Sequence, residues 1–211
     1  MKQLIMNKKN IIKLIMKKFL TLITVLISIF IGMQNTFAQS INVGYVNSSY
    51  VVKDGGSSFS MNGNGIYAGF DYDYSLDNSL YLNPGVYFDF IDYNVYGNLH
   101  GTAFYVRVPI HLKYMYTLDN ALTVFATAGP SLTYALGGKI KYHEGGIAYS
   151  ENFFDEYDQR FDIPLGLEVG LNINRLYKVV VGYDFGLLNQ AKDDDYKLVK
   201  NMFHVGLGYN F

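Results

Sequence analysis

From Ile41 onward apolar and polar positions alternate with a period of two, and no segment of helical length carries a convincing 3.6-residue apolar period. The pattern predicts strands at Ile41–Asn47, Gly65–Tyr74, Ser79–Phe90, Thr102–Tyr116, Ala121–Tyr134, Phe161–Ile173, Tyr177–Leu187 and Asn201–Phe211. Thr102–Tyr116 alternates most cleanly, with Phe104, Val106, Val108, Ile110, Leu112, Tyr114 and Tyr116 on one face. Tyr105, Arg107, Pro109, His111, Lys113 and Met115 take the other. In Gly65–Tyr74 the same rule groups Ile66, Ala68, Phe70, Tyr72 and Tyr74 against Tyr67, Gly69, Asp71 and Asp73.

The connections alternate in length. Ser75–Asn78, Thr117–Asn120 and Asn174–Leu176 suit hairpin turns. Ser48–Asn64, Ile91–Gly101, Ala135–Arg160 and Leu188–Lys200 are far longer and would all emerge at the opposite end. Short turns on one side and long loops on the other are the habit of outer-membrane barrels.

The second face is what separates lipid from water. A soluble sandwich turns its apolar face inward and its polar face to solvent. Here the polar face mixes small residues and Tyr with Asp71, Asp73, Asp89, Arg107, His111, Lys113, Asp162, Glu168, Lys178, Asp184 and His204, as expected of a narrow lumen filled by paired charges. The apolar face of each strand is long enough to cross hydrocarbon, where a tilted strand needs about 9–11 residues and every backbone group must be paired. The expectation is an all-β fold: an eight-stranded antiparallel transmembrane β-barrel with short periplasmic turns and long extracellular loops. Tyr72, Tyr74, Tyr114, Tyr116 and Tyr209 would form one aromatic girdle, and Phe88, Phe90, Phe104, Tyr134, Phe185 and Phe203 the other.

Composition sharpens the picture. Among 211 residues there are 17 basic and 18 acidic side chains, no Cys and no Trp. Residues 1–38 hold six lysines and no acid, so the remainder carries 11 basic and 18 acidic groups, net −7, with its cations scattered. That excludes a nucleic-acid interface. The lack of Cys excludes disulfides, thiolate metal sites and a cysteine nucleophile. Lys17 and Lys18, the apolar run Phe19–Met33 and then Thr36, Phe37, Ala38 and Gln39 have the layout of a secretory signal peptide, cleaved after Ala38. The run is short for the alternative, a spanning anchor. Met16 offers an alternative start that would make residues 1–15 an upstream extension. The domain division is thus a leader over 1–38 and one outer-membrane β-barrel domain over 39–211.

Further marks are Tyr105-Val106-Arg107-Val108-Pro109-Ile110 leading into Leu112-Lys113-Tyr114, Ala128-Gly129-Pro130, and the ending Gly206-Leu207-Gly208-Tyr209-Asn210-Phe211. With the Ala38-Gln39 junction, they make the chain resemble the small outer-membrane β-barrel domain proteins of Bacteroidetes, loosely called porin-like or PorT-like, over about Gln39–Phe211. The resemblance implies a location in the cell outer membrane, contact with its lipid, and recognition of the strand ending in Phe211 by the outer-membrane insertion machinery. None of these marks is catalytic.

Candidate chemistry is sparse. His111 and His204 point inward by parity, while His100 and His143 fall in expected loops, too few to define a metal centre. No serine and histidine with an acidic orienter form an apparent pair, so no enzyme is expected. Asp193–Asp195 and the group Glu144, Glu151, Asp155, Glu156 and Asp158 lack the spacing of a calcium loop. Gly55-Gly56, Gly137-Gly138 and Gly145-Gly146 read as loop glycines. Loop aromatics Tyr93, Tyr96, Tyr149, Phe153, Phe154 and Tyr157 could form a recognition surface for an extracellular ligand, or pack the loops together. No cofactor is expected. The functional expectation is a structural or surface-interaction role carried by external loops. The alternatives are an ion or small-solute channel, a lipid-active enzyme, and a secreted soluble barrel whose apolar face would turn inward.

Overall fold

The computed structural model describes residues 39–54, 57–96, 99–144, 147–152, 160–191 and 196–211. The leader expected over 1–38 lies outside them. The chain forms eleven strands: β1 (Gln39–Asp54), β2 (Ser57–Tyr72), β3 (Tyr74–Ser75), β4 (Leu80–Tyr96), β5 (Leu99–Thr117), β6 (Leu122–Glu144), β7 (Ile147–Asn152), β8 (Phe161–Asp162), β9 (Leu165–Ile173), β10 (Tyr177–Phe185) and β11 (Tyr196–Asn210). They make one antiparallel sheet of order β2-β1-β11-β10-β9-β6-β5-β4-β3, with β7 and β8 on β6 and a further pairing of β2 with β4. The eight-stranded barrel expected from the alternation is therefore replaced by an eleven-stranded sheet.

Three local causes add strands. The Asp73 carboxylate accepts from Asn83 Nδ2 (2.6 Å) and Lys113 Nζ (2.7 Å), and the chain leaves strand geometry there, splitting β3 from β2. Tyr72 is consequently buried instead of sharing the outer face with Phe70. Pro164 has no N–H to give a ladder and divides the expected Phe161–Ile173 strand into β8 and β9. Beyond its expected end, β6 runs on to Glu144 and the chain returns along it as β7, from Lys139↔Asn152 to Glu144↔Ile147.

The long loops are corrected too. β1 and β2 stay paired from Gln39↔Tyr72 to Asp54↔Ser57, and β4 and β5 from Leu80↔Tyr114 to Tyr96↔Leu99. Most of Ser48–Asn64 and Ile91–Gly101 is strand. Gly, Ser and Asn are common in these stretches and have low strand propensity, which hid them from the pattern. Gly137 and Gly138 lie within β6, whereas Gly55-Gly56 and Gly145-Gly146 lie outside the described residues.

The sheet has an apolar outer face and a polar inner one. Ile41, Val43, Ile66, Phe88, Leu112, Val169 and Leu207 are each at least half exposed or close to it, while Arg107, His111, Asp184 and His204 are no more than 2% exposed. With no second layer among the described residues, that burial requires the sheet to curl until its inner face packs on itself, and Lys178 of β10 meets Asp71 of β2. Tyr67 shows how tightly. It lies across the registered pair Gly44 and Gly206, where a Cβ on either glycine would collide with its ring or hydroxyl.

The turn between β9 and β10 has positive φ at both central residues, Asn174 (51°) and Arg175 (61°), closed by Leu176 N–H donating to Ile173 O at 3.1 Å. This is the type I′ geometry that suits a twisted hairpin. Asn tolerates it and Arg does not. Arg175→Gly is expected to raise the unfolding free energy by about 0.5–1 kcal/mol, read as a higher urea midpoint in detergent micelles. An unchanged or lower midpoint would mean that the turn carries no strain.

Candidate functional site

All eleven residues singled out in the sequence project from the inner face, and they assemble into linked groups. The lowest group centres on Asp71 (β2). Its carboxylate accepts from Ser40 Oγ (2.6 Å), Asn42 Nδ2 (2.9 Å), Asn83 Nδ2 (3.2 Å), Tyr87 OH (2.6 Å) and the Lys178 ammonium. Lys113 (β5) pairs with Asp73 at 2.7 Å and sits 4.5 Å from the centre of the Phe125 ring. Such ions tolerate burial because donors and acceptors surround them.

Arg107 (β5) organises the middle. Its Nε and Nη2 donate to Asp89 (β4) at 3.2 and 3.3 Å, and Nη1 lies 3.5 Å from Asp184 (β10). The guanidinium also stacks near Tyr87, 5.0 Å from the ring centre. Neither Asp184 oxygen has a hydrogen-bond partner, so Arg107 is the cation that answers its charge at closest range.

Beside it, His204 Nε2 is 3.1 Å from Glu168 Oε1, and its Nδ1 is 3.9 Å from Asp184 without a hydrogen bond. Thr127 Oγ1 donates to Glu168 Oε2 (3.2 Å) and meets His111 Nδ1 (3.3 Å), while His111 Nε2 meets Ser131 Oγ (3.2 Å). The structure thus brings together a serine, a histidine and, through Thr127, a glutamate that sequence spacing did not reveal. Ser131 is 0% exposed.

The upper interior holds residues the sequence pattern missed. The hydroxyls of Tyr50, Tyr93 and Tyr105 cluster, with Tyr105 OH 3.1 Å from Tyr50 OH and 3.2 Å from Tyr93 OH, and Tyr93 donating to Ser48 at 2.9 Å. Tyr93, a loop aromatic in the sequence reading with either a recognition or a packing role, is fully buried on β4. Lys200, one residue outside the expected last strand, is 2% exposed with its Nζ 3.7 Å from the Tyr105 ring centre. Asp162 (β8) accepts from the Ile163 N–H at 2.9 Å.

His100 and His143 lie on β5 and β6 instead of in loops. Glu144 and Tyr149 lie on β6 and β7, as Glu151 does on β7 and Tyr96 on β4. Asp193–Asp195, Asp155, Glu156, Asp158, Phe153, Phe154 and Tyr157 lie outside the described residues. Among the described residues no set of three or more His, Asp or Glu side chains converges as metal ligands.

No protein-family model matches the chain, and no curated protein matches it. Solved structures do. The chain is similar to Ail, the attachment invasion locus protein of Yersinia pestis, at 18% identity over 84% of this chain and 100% of that one, with a TM-score of 0.42. It is similar to the Neisserial surface protein A at 14% identity over 81% and 97% of the two chains, with a TM-score of 0.44. Similarity to the outer membrane protein OprG from Pseudomonas aeruginosa covers 83% of this chain and 96% of that one, at 12% identity and a TM-score of 0.49.

Proposed function

We propose that the chain is an integral outer-membrane protein whose interior is sealed by ion pairs, so that its dealings with other molecules occur on its outer face and at its upper strand ends. The observation that carries this reading is the inside-out division of the sheet, with charges buried and Ile, Val, Leu and Phe exposed. In water such a surface would aggregate; in hydrocarbon it is the stable arrangement, provided the backbone is paired. On β5 the outward apolar positions run from Phe104 to Tyr116. That is roughly 40 Å of strand, reduced by a tilt of about 45° to roughly 28 Å, close to the height of a lipid-facing band. Strands rather than helices favour the outer membrane, and the strand leading to Phe211 is consistent with delivery by its insertion machinery.

A conducting interior is disfavoured because Asp71, Arg107, Lys113 and Lys178, the side chains a conduit would need, are 1–3% exposed. Purified protein, inserted into a planar bilayer and proven folded by its heat-dependent gel mobility, is expected to give no conductance steps. Reproducible steps that change with Asp71→Asn would overturn the sealed interior. Release from membranes at high pH without detergent would overturn the membrane reading itself.

A further inference from the structure

The four prolines of the chain, Pro84, Pro109, Pro130 and Pro164, lie on one diagonal of the sheet, and the strand ladders lapse where they meet it. Pairing of β4 with β5 stops at Pro84↔Ile110 and resumes in the same register at Tyr87↔Arg107, which leaves Gly85 opposite Pro109. Pairing of β5 with β6 stops at Pro109↔Ser131 and resumes at Leu112↔Ala128, leaving Ile110 opposite Pro130. β6 pairs with β9 as far as Pro130↔Leu165 and with β8 from Thr133↔Asp162, leaving Ser131 opposite Pro164. The residue after each proline thus faces the next proline. The line continues toward β2, whose pairing with β4 ends at Asp71↔Gly85, one pair short of Pro84.

The cause is the missing proline N–H, which confines this residue in most sheets to edges and bulges. Ser131 N–H donates to Pro164 O at 2.9 Å, and the reciprocal bond cannot form. Ile110, 42% exposed, is the midpoint of the outward run from Phe104 to Tyr116 on β5. The diagonal therefore crosses the wall at mid-depth of the apolar band, where no water is at hand to replace a lost donor. Directly behind it His111 Nε2 lies 3.2 Å from Ser131 Oγ. Glycines flank that ring: a Cβ on Gly129 would lie 2.8 Å from His111 Cα, and one on Gly166 would lie 2.7 Å from His111 Nε2.

We infer that the wall parts laterally along this diagonal, between β5 and β6 at Ile110 and Pro130, and opens the His111 and Ser131 pair to the lipid phase while the interior stays closed to water at its ends. The inference rests on the membrane reading above. Local opening follows the line of fewest bonds, and here consecutive ladders each lack a bond at adjoining positions. Ion pairs resist opening elsewhere, since Arg107, Lys113 and Lys178 tie β5 and β10 to their neighbours above and below the line. The pair exposed by the opening is uncharged on the serine side and reached through apolar surface, so it suits an apolar molecule arriving from the bilayer.

The chain has no Cys, so a single introduced thiol reports access. In phosphatidylcholine nanodiscs an apolar maleimide is expected to label Ser131→Cys at least about tenfold faster than Ser48→Cys, an equally buried position away from the line, because two ladder bonds are missing beside Ser131. A membrane-impermeant anionic thiosulfonate is expected to label neither. Adding Pro130→Ala, which restores an N–H opposite Ile110, should slow the maleimide about fivefold, the weight of one backbone hydrogen bond. In the unsubstituted protein, amide exchange over 108–111 and 129–132 should outpace that over 122–127 of the same β6 strand. Equal labelling at the two positions, labelling of Ser131→Cys by the anionic reagent, indifference to Pro130→Ala, or uniform amide exchange would each overturn the lateral opening. Failure to enter the discs would instead overturn the membrane reading.

Discussion

Replacing Arg107 with methionine is expected to lower the unfolding free energy by about 3–5 kcal/mol, the loss typical when one partner of a buried ion pair is removed. The guanidinium is 1% exposed and serves two carboxylates from different strands, Asp89 and Asp184. Methionine fills much of the volume and keeps the apolar contact with Tyr87, so the loss would be electrostatic rather than a cavity. Both Asp184 oxygens already lack hydrogen bonds, and without Arg107 that carboxylate would stay buried with its nearest cation gone. Adding Asp89→Leu should recover part of the loss, because one of the two stranded charges goes with it. Urea titration in micelles, followed by circular dichroism since the chain has no Trp, provides the readout. A loss below about 1 kcal/mol would put the cluster in the class of solvated surface pairs.

Asp71→Leu should be comparably severe, by about 3–5 kcal/mol, for a different reason. The one carboxylate there, on β2, satisfies five donors on three other strands: Ser40 and Asn42 of β1, Asn83 and Tyr87 of β4, and Lys178 of β10. Losing the acceptor strands neutral donors at about 1–3 kcal/mol each where they cannot re-pair, and it leaves a buried ammonium. Lys178→Met should cost more alone than on top of Asp71→Leu, and the difference measures the pair. Purely additive losses would mean that the ammonium finds another partner, Glu168 being the nearest alternative in charge. The temperature at which folded mobility is lost on gels should track both effects.

Much of this interior was legible in the sequence, because strict alternation along β4, β5 and β10 assigns faces without knowledge of contacts. Asp89, Arg107, His111, Lys113 and Asp184 follow parity alone. The strand ends were not legible. β1 continues through Asn47-Ser48-Ser49, and β2 begins in Ser57-Ser58, where composition resembles a loop and only cross-strand pairing makes a strand. That error removed Lys200 from view by one residue and placed Tyr93 in a loop instead of on β4. The break at Asp73 was hidden for another reason. Parity assumes an unbroken pleat, and a carboxylate recruited by Asn83 and Lys113 is a tertiary event that no local pattern reports. The same holds for His111, Thr127 and Glu168, which lie on three strands and meet only through register.

The partnership of Lys178 with Asp71 also constrains the order of assembly. The two residues are 107 positions apart in the chain and belong to strands that β1 and β11 separate in the sheet. Any half-built sheet that entered hydrocarbon would carry one of these ions without the other, at a cost of several kcal/mol. On the membrane reading proposed above, insertion is expected to be concerted with the meeting of β2 and β10, so a membrane-embedded intermediate holding only the N-terminal strands is penalised. Slow, all-or-none appearance of the folded form is the kinetic signature that such a long-range lock imposes.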